Sequence, residues 1–161
     1  MKKQKGLSII EFTLVSTALL LVIFAVIEVG RYIYSLQMVN DMTRIAARLA
    51  VVCKVEDKAN IPALAVVSGA PYGFSASNLT IEYLDASGNV IQGTLTDDAI
   101  FPTIEYVRAK VVDFEYQFTG LLSFINLTGG LSVPEFETTR PRENLGHHRE
   151  TPFNEENSTD C

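Results

Sequence analysis

Gly6-Leu7-Ser8-Ile9-Ile10-Glu11-Phe12 opens the stretch that decides the fold: an apolar run continues from it to Ile27, and Lys2, Lys3 and Lys5 stand ahead of it. Leu7 to Val29 is 23 residues carrying charge only at Glu11 and Glu28. At about 1.5 Å rise per residue, a helix of that length spans the roughly 30 Å hydrocarbon core of a bilayer with modest tilt. The charge-free part, Phe12 to Ile27, is 16 residues, which sets Glu11 near one edge of the membrane. A carboxylate at membrane depth costs a few kcal/mol and marks function more often than accident, so Glu11 needs a partner. The three lysines hold the N-terminal end in the cytoplasm by the positive-inside rule, and the remainder is exported.

Two plainer readings compete. A cleaved secretory signal has an apolar core of about 7–15 residues followed by a small-x-small site, whereas Glu28-Val29-Gly30-Arg31-Tyr32 follows Ile27 here. A simple signal anchor fits the length but leaves Glu11 as a cost without a return.

Past the membrane the helix need not stop. No glycine or proline occurs between Gly30 and Pro62, and Met38, Met42, Ile45, Leu49 and Val52 recur at heptad-like spacing on one helix face. Asn40, Asp41, Thr43, Arg44 and Arg48 fall on the other side. The apolar stripe packs either on the chain's own sheet or on the helix of another subunit. Glu28 and Arg31, three apart, suit an ion pair at the outer membrane interface.

The 161 residues leave room for one small domain beyond the membrane segment. Lys54 to Asn60 reads as a charged connector, and Asn60 with Pro62 starts a short helix through Val67. Leu79–Leu84, a turn over Asp85-Ala86-Ser87-Gly88-Asn89, and Val90–Leu95 read as a β-hairpin. Ile104–Phe118 is the strongest strand candidate. Its apolar phase switches from Val107, Ala109 and Val111 to Val112, Phe114, Tyr116 and Phe118, which predicts a bulge or a crossing between sheets. Gly120, Gly129 and Gly130 bracket a short apolar stretch, and Leu131–Phe136, holding Pro134, suits an edge strand. From Thr138 on, charges and prolines predict a largely disordered tail.

The fold class is therefore α+β: a long N-terminal helix, transmembrane in one half and amphipathic in the other, packed on a small antiparallel sheet. Its expected segments are 1–6 as leader, 7–29 as transmembrane helix, 30–53 as outer helix, 54–137 as exported domain and 138–161 as tail.

Two cysteines, Cys53 and Cys161, allow one bridge at most. In an oxidising compartment they pair and pin the tail; otherwise Cys53 is a small buried apolar residue and Cys161 is free or bonded to another chain. The net charge of −6 argues against a nucleic-acid partner. His147 and His148 beside Glu143 and Glu150 sit in the expected tail, so no metal site is expected. No G-x-S-x-G, H-E-x-x-H, Walker loop or G-x-G-x-x-G occurs, and neither an enzyme nor a cofactor is expected.

The start G-x-x-x-x-E-F at Gly6 to Phe12, the acid-x-Gly-Arg exit at Glu28, Gly30 and Arg31, and the Ala/Arg-rich Arg44 to Ala50 together resemble the N-terminal region of TadE-like minor pilins (pseudopilins) of bacterial tight-adherence pili. The likeness covers Gly6 to Val52; Thr17 stands where many members carry proline. The resemblance implies a pilin-like fold without enzymatic activity and cleavage by a prepilin peptidase between Gly6 and Leu7. It also implies a role for Glu11 in pairing with the freed Leu7 amine of a neighbouring subunit. The implied partners are that peptidase, other pilin subunits with the pilus assembly machinery, and membrane lipid. The implied place is the bacterial inner membrane, single-pass with the domain outside, or the extracellular pilus itself. The alternative is a membrane-anchored pseudopilin or binding subunit of a secretion system.

Overall fold

In a computed structural model the chain is described over residues 5–67, 69–118, 131–147 and 161. Met1 to Gln4 of the leader, the apolar stretch between Gly120 and Gly129, and His148 and Glu150 lie outside the described residues.

Helix α1 runs unbroken over Lys5–Val52, 48 residues, or about 72 Å at the standard rise. Its hydroxyl side chains bond back to its own carbonyls, Thr13 Oγ1 to Ile10 O at 2.9 Å and Thr17 Oγ1 to Thr13 O at 2.7 Å. These hydroxyls are thereby satisfied without water, as an apolar surrounding requires. A 3-10 turn at Val55–Ala59 then leads into helix α2, Ile61–Val67. Pro62 sits in the first turn of α2, where its missing N–H costs nothing.

Strands β1 (Leu79–Leu84), β2 (Tyr106–Val111) and β5 (Glu137–Pro141) form an antiparallel sheet in the order β1-β2-β5. Strands β3 (Glu115–Tyr116) and β4 (Leu131–Ser132) form a separate antiparallel pair. Period-two alternation puts Leu79, Ile81 and Tyr83 of β1 beside Val107, Ala109 and Val111 of β2 on the face toward α1. The opposite face carries charge pairs: Arg108 Nε donates to Glu82 Oε2 at 2.7 Å across β2 and β1, and Lys110 Nζ lies 3.0 Å from Glu135 in the segment before β5.

The helix meets the sheet through a face turned from the expected one. Val39, Thr43, Ala46, Ala47, Ala50 and Val51 are fully buried, with Met42 nearly so. Of the heptad-like stripe, Ile45, Leu49 and Val52 only flank this core, and Met38 is half-buried. Three of the fully buried positions are alanine, and side chains that small let neighbouring elements approach the helix backbone closely. Thr43 Oγ1 lies 3.1 Å from Thr138 Oγ1 and ties α1 to β5.

Two further expectations change and one holds. The return strand Val90–Leu95 does not form: one bridge, Leu84 to Val90, closes the turn, and β1 pairs with β2 instead. Past Gly93, polar residues satisfy their backbone in local turns, Asp97 N–H to Thr94 O at 3.0 Å and Ala99 N–H to Asp97 Oδ1 at 2.9 Å. The Ile104–Phe118 strand divides, as its phase switch implied, at Asp113 (φ 51°), whose carbonyl accepts from Asn78 Nδ2 at 2.9 Å. Leu131–Phe136 is strand only over Leu131–Ser132.

The tail differs most. Residues 137–141, expected at the edge of disorder and beyond, complete the sheet as β5, where Thr138 and Thr139 suit an extended backbone and β2 would otherwise have a bare second edge. The chain then turns at Leu145 (φ 46°) and Gly146 (φ 83°), with His147 N–H bonded to Asn144 O at 2.9 Å. A bulky residue at positive φ is costly. Leu145 is held there because its side chain is buried and its N–H bonds to Val51 O at 3.0 Å, satisfying a carbonyl left open at the end of α1.

Candidate functional site

The two acids of the apolar helix are treated in opposite ways. From Ser8 to Ile27, α1 has no other part of the described chain covering it: Ile9, Phe12, Leu14 and Val26 are each 65–72% exposed. These 20 residues measure about 30 Å, the thickness of a bilayer core. Soluble proteins do not present an apolar surface of that extent. Among the described residues α1 is the one helix long and apolar enough to cross a membrane. Glu11 lies on this uncovered stretch, exposed, with no hydrogen-bond or ion-pair partner among the described residues.

Glu28 closes the stretch and is 1% exposed. Tyr116 Oη donates to Glu28 Oε1 at 3.2 Å, and Arg31 Nη1 stands 3.6 Å from Oε2. The Tyr116 ring also packs edge-to-face on Tyr32 at 5.1 Å. Burial first, then the Glu28 charge and hydrogen bond, pushes the Tyr116 phenol above its ordinary value. Among the described residues the domain therefore grips α1 down to Glu28, where the uncovered span begins. Sequence reading paired Glu28 with Arg31 alone. Tyr116 lies 88 residues away, and the available signal was the phase switch that turns Tyr116 inward.

Gly6 and Leu7 fall in the first turns of α1. Gly30 has open space where a side chain would stand, so no contact within the described chain demands glycine there. Cys53, at the far end of α1, is fully buried and disulfide-bonded to Cys161, with Cα atoms 5.7 Å apart. The Cys161 N–H also donates to Asp57 Oδ2 at 3.3 Å. Among the described residues no three His, Cys, Asp or Glu side chains cluster as metal ligands would.

The chain thus joins a small α+β domain to an apolar helix that could span a membrane and that holds at Glu11 an acid with no partner among the described residues. Residues 6–48 match the model of the TadE-like protein family, the family that the N-terminal motifs resemble. No curated protein and no solved structure matches the chain. The match and the candidate membrane helix fit a protein associated with tight-adherence pili.

Proposed function

We propose that this chain is a minor pilin of the TadE-like type, cut by a prepilin peptidase between Gly6 and Leu7 and acting in assembly or initiation of a tight-adherence pilus for surface attachment. The observation that carries the reading is Glu11 on the uncovered span with no partner among the described residues, while Glu28, in the same helix, is satisfied inside the chain. A group that the fold leaves unsatisfied in an apolar setting must find its partner in another molecule. Cleavage creates such a partner, the Leu7 amine of a neighbouring subunit. Pairing the two offsets two desolvated charges at once, and a wrong register leaves both unpaired, so Glu11 acts as a register device more than as a source of stability.

The same reading places Lys2, Lys3 and Lys5 in the cytoplasm and the domain outside the inner membrane. The Cys53–Cys161 bond supports that orientation, because structural disulfides form and persist in oxidising compartments. Met42, with Ile45, Leu49 and Val52 beside it, serves the chain's own core, so contacts with other subunits fall to the uncovered span and to the exposed Asp41, Arg44 and Arg48. Pilus counts in a strain carrying Glu11→Val test the reading. The variant is expected in the membrane at normal level with piliation lost, and normal piliation overturns the assigned role of Glu11.

A further inference from the structure

We propose that the membrane-distal end of the domain carries a binding site for a neutral saccharide. Beyond the end of α1, about 37 Å past Ile27 at the helical rise, a half-open cavity of about 550 Å³ lies between Lys54-Val55-Glu56, the loop from Thr96 to Pro102, and the turn Arg142 to His147. That volume lies within the roughly 300–1,000 Å³ of small-ligand sites.

The lining selects the ligand class. One wall is aromatic, with Phe101 and His147 edge-to-face at 5.1 Å, a surface on which the apolar face of a sugar ring lies. Around it stand the cations Lys54 and Arg142 and the carboxylates of Glu56, Asp98 and Glu143. None of the three carboxylates has an ion-pair partner among the described residues. An apolar ligand would strip water from the three carboxylates with no return. An anion would meet three carboxylates, and a cation would meet Lys54 and Arg142. A neutral polyol avoids both conflicts, since each hydroxyl donates to a carboxylate and accepts from a cation in turn.

The walls are also fixed in place. Arg142 Nη1 reaches the carbonyls of Phe101 and Pro102 at 3.4 and 3.5 Å, bridging the loop to the turn. The turn itself holds Leu145 and Gly146 at positive φ, and a Cβ on Gly146 would stand 2.7–2.8 Å from Lys54. The close approach of Gly146 to Lys54 and the bond from Leu145 N–H to Val51 O at 3.0 Å keep this turn seated on the end of α1. Binding at this site requires neither cleavage at Gly6 nor assembly, so it can fail without touching the pilus reading and the reverse also holds.

The test is amide chemical-shift titration of the full chain in amine-oxide micelles, because maltoside detergents present a sugar themselves. Maltose, N-acetylglucosamine and galactose are the probes; sodium phosphate and spermidine at equal concentration are the controls. At least one sugar should give saturable shifts at Thr96–Phe101 and Arg142–His147. The pair of exposed substitutions Asp98→Asn and Glu143→Gln should weaken that binding about tenfold, the loss of charge-assisted bonds. Absence of saturable shifts with all three sugars overturns the proposal. So does binding of phosphate or spermidine as tight as that of the sugars, or undiminished binding in the double variant.

Discussion

Tyr116→Phe removes one oxygen from the molecule and tests how the domain is fastened to its helix. The ring stays, so its edge-to-face contacts with Tyr32 at 5.1 Å and Phe118 at 5.6 Å are kept. What is lost is the 3.2 Å hydrogen bond to Glu28 Oε1, on a carboxylate that is 1% exposed. Hydrogen bonds to charged groups contribute about 1.5–3 kcal/mol. This one is long, and Arg31 remains beside the other oxygen, which favours the lower end, about 1.5 kcal/mol. For a domain of this size that is a fall of roughly 5–8 °C in midpoint. The assay is urea unfolding of the full chain in non-ionic micelles, followed by far-UV circular dichroism. Glu28→Gln and the double variant complete a cycle whose coupling should reach about 1 kcal/mol. A Tyr116→Phe midpoint indistinguishable from the parent, or additive effects in the double variant, would refute the view that Glu28 is a structural acid held by the domain.

Cys161→Ser opens a loop whose ends are 108 residues apart and should lower stability by about 5 kcal/mol on the chain-entropy account; reductant should do the same to the parent and nothing to the variant in urea titrations. Two glycines should respond oppositely to alanine: Gly146→Ala, at φ 83° against the Lys54 backbone, loses about 2 kcal/mol or more, while Gly30→Ala, with open space, gains up to about 1 kcal/mol in the same unfolding experiment. The Tyr83 phenol, pushed up to about 12 by burial and the nearby Asp57 charge, keeps its proton in the folded chain after the unfolded chain has lost it. Its contribution is complete below about pH 10 and is lost as pH rises toward 12, about 2–3 kcal/mol in all. Because the Tyr83 hydroxyl has no hydrogen-bond partner among the described residues, Tyr83→Phe should fold at least as well and flatten that alkaline fall; a steep fall in the variant would contradict the assignment.

The long helix was legible because glycine and proline are absent from Ser35 to Ala59 and the apolar run is continuous to Ile27. The split of the 104–118 strand was legible too, since inward positions move from odd to even residues at Val112. The buried helix face was harder. Large side chains drew attention to Met38, Met42, Ile45, Leu49 and Val52, yet the fully buried positions include Ala46, Ala47 and Ala50, whose small size carries little signal in a pattern weighted by hydrophobicity. The third strand hid in Glu137-Thr138-Thr139-Arg140-Pro141, polar enough to pass for a tail; it is ordered by pairing with β2, from Lys110↔Glu137 to Tyr106↔Pro141, information that lies 27 to 35 residues away. Of the candidate site, Glu11 could be read from its neighbours. Glu28's tether to Tyr116 could not, because a contact across 88 residues is a property of the fold.

Glu11 can meet a neighbour's terminal amine only if the chain begins at Leu7, and intact mass spectrometry of the protein extracted from its native membrane reads that start directly. The account predicts a mature chain lacking Met1 to Gly6 and retaining Glu11. A chain with Met1 in place, or one that begins beyond Val29, would contradict it.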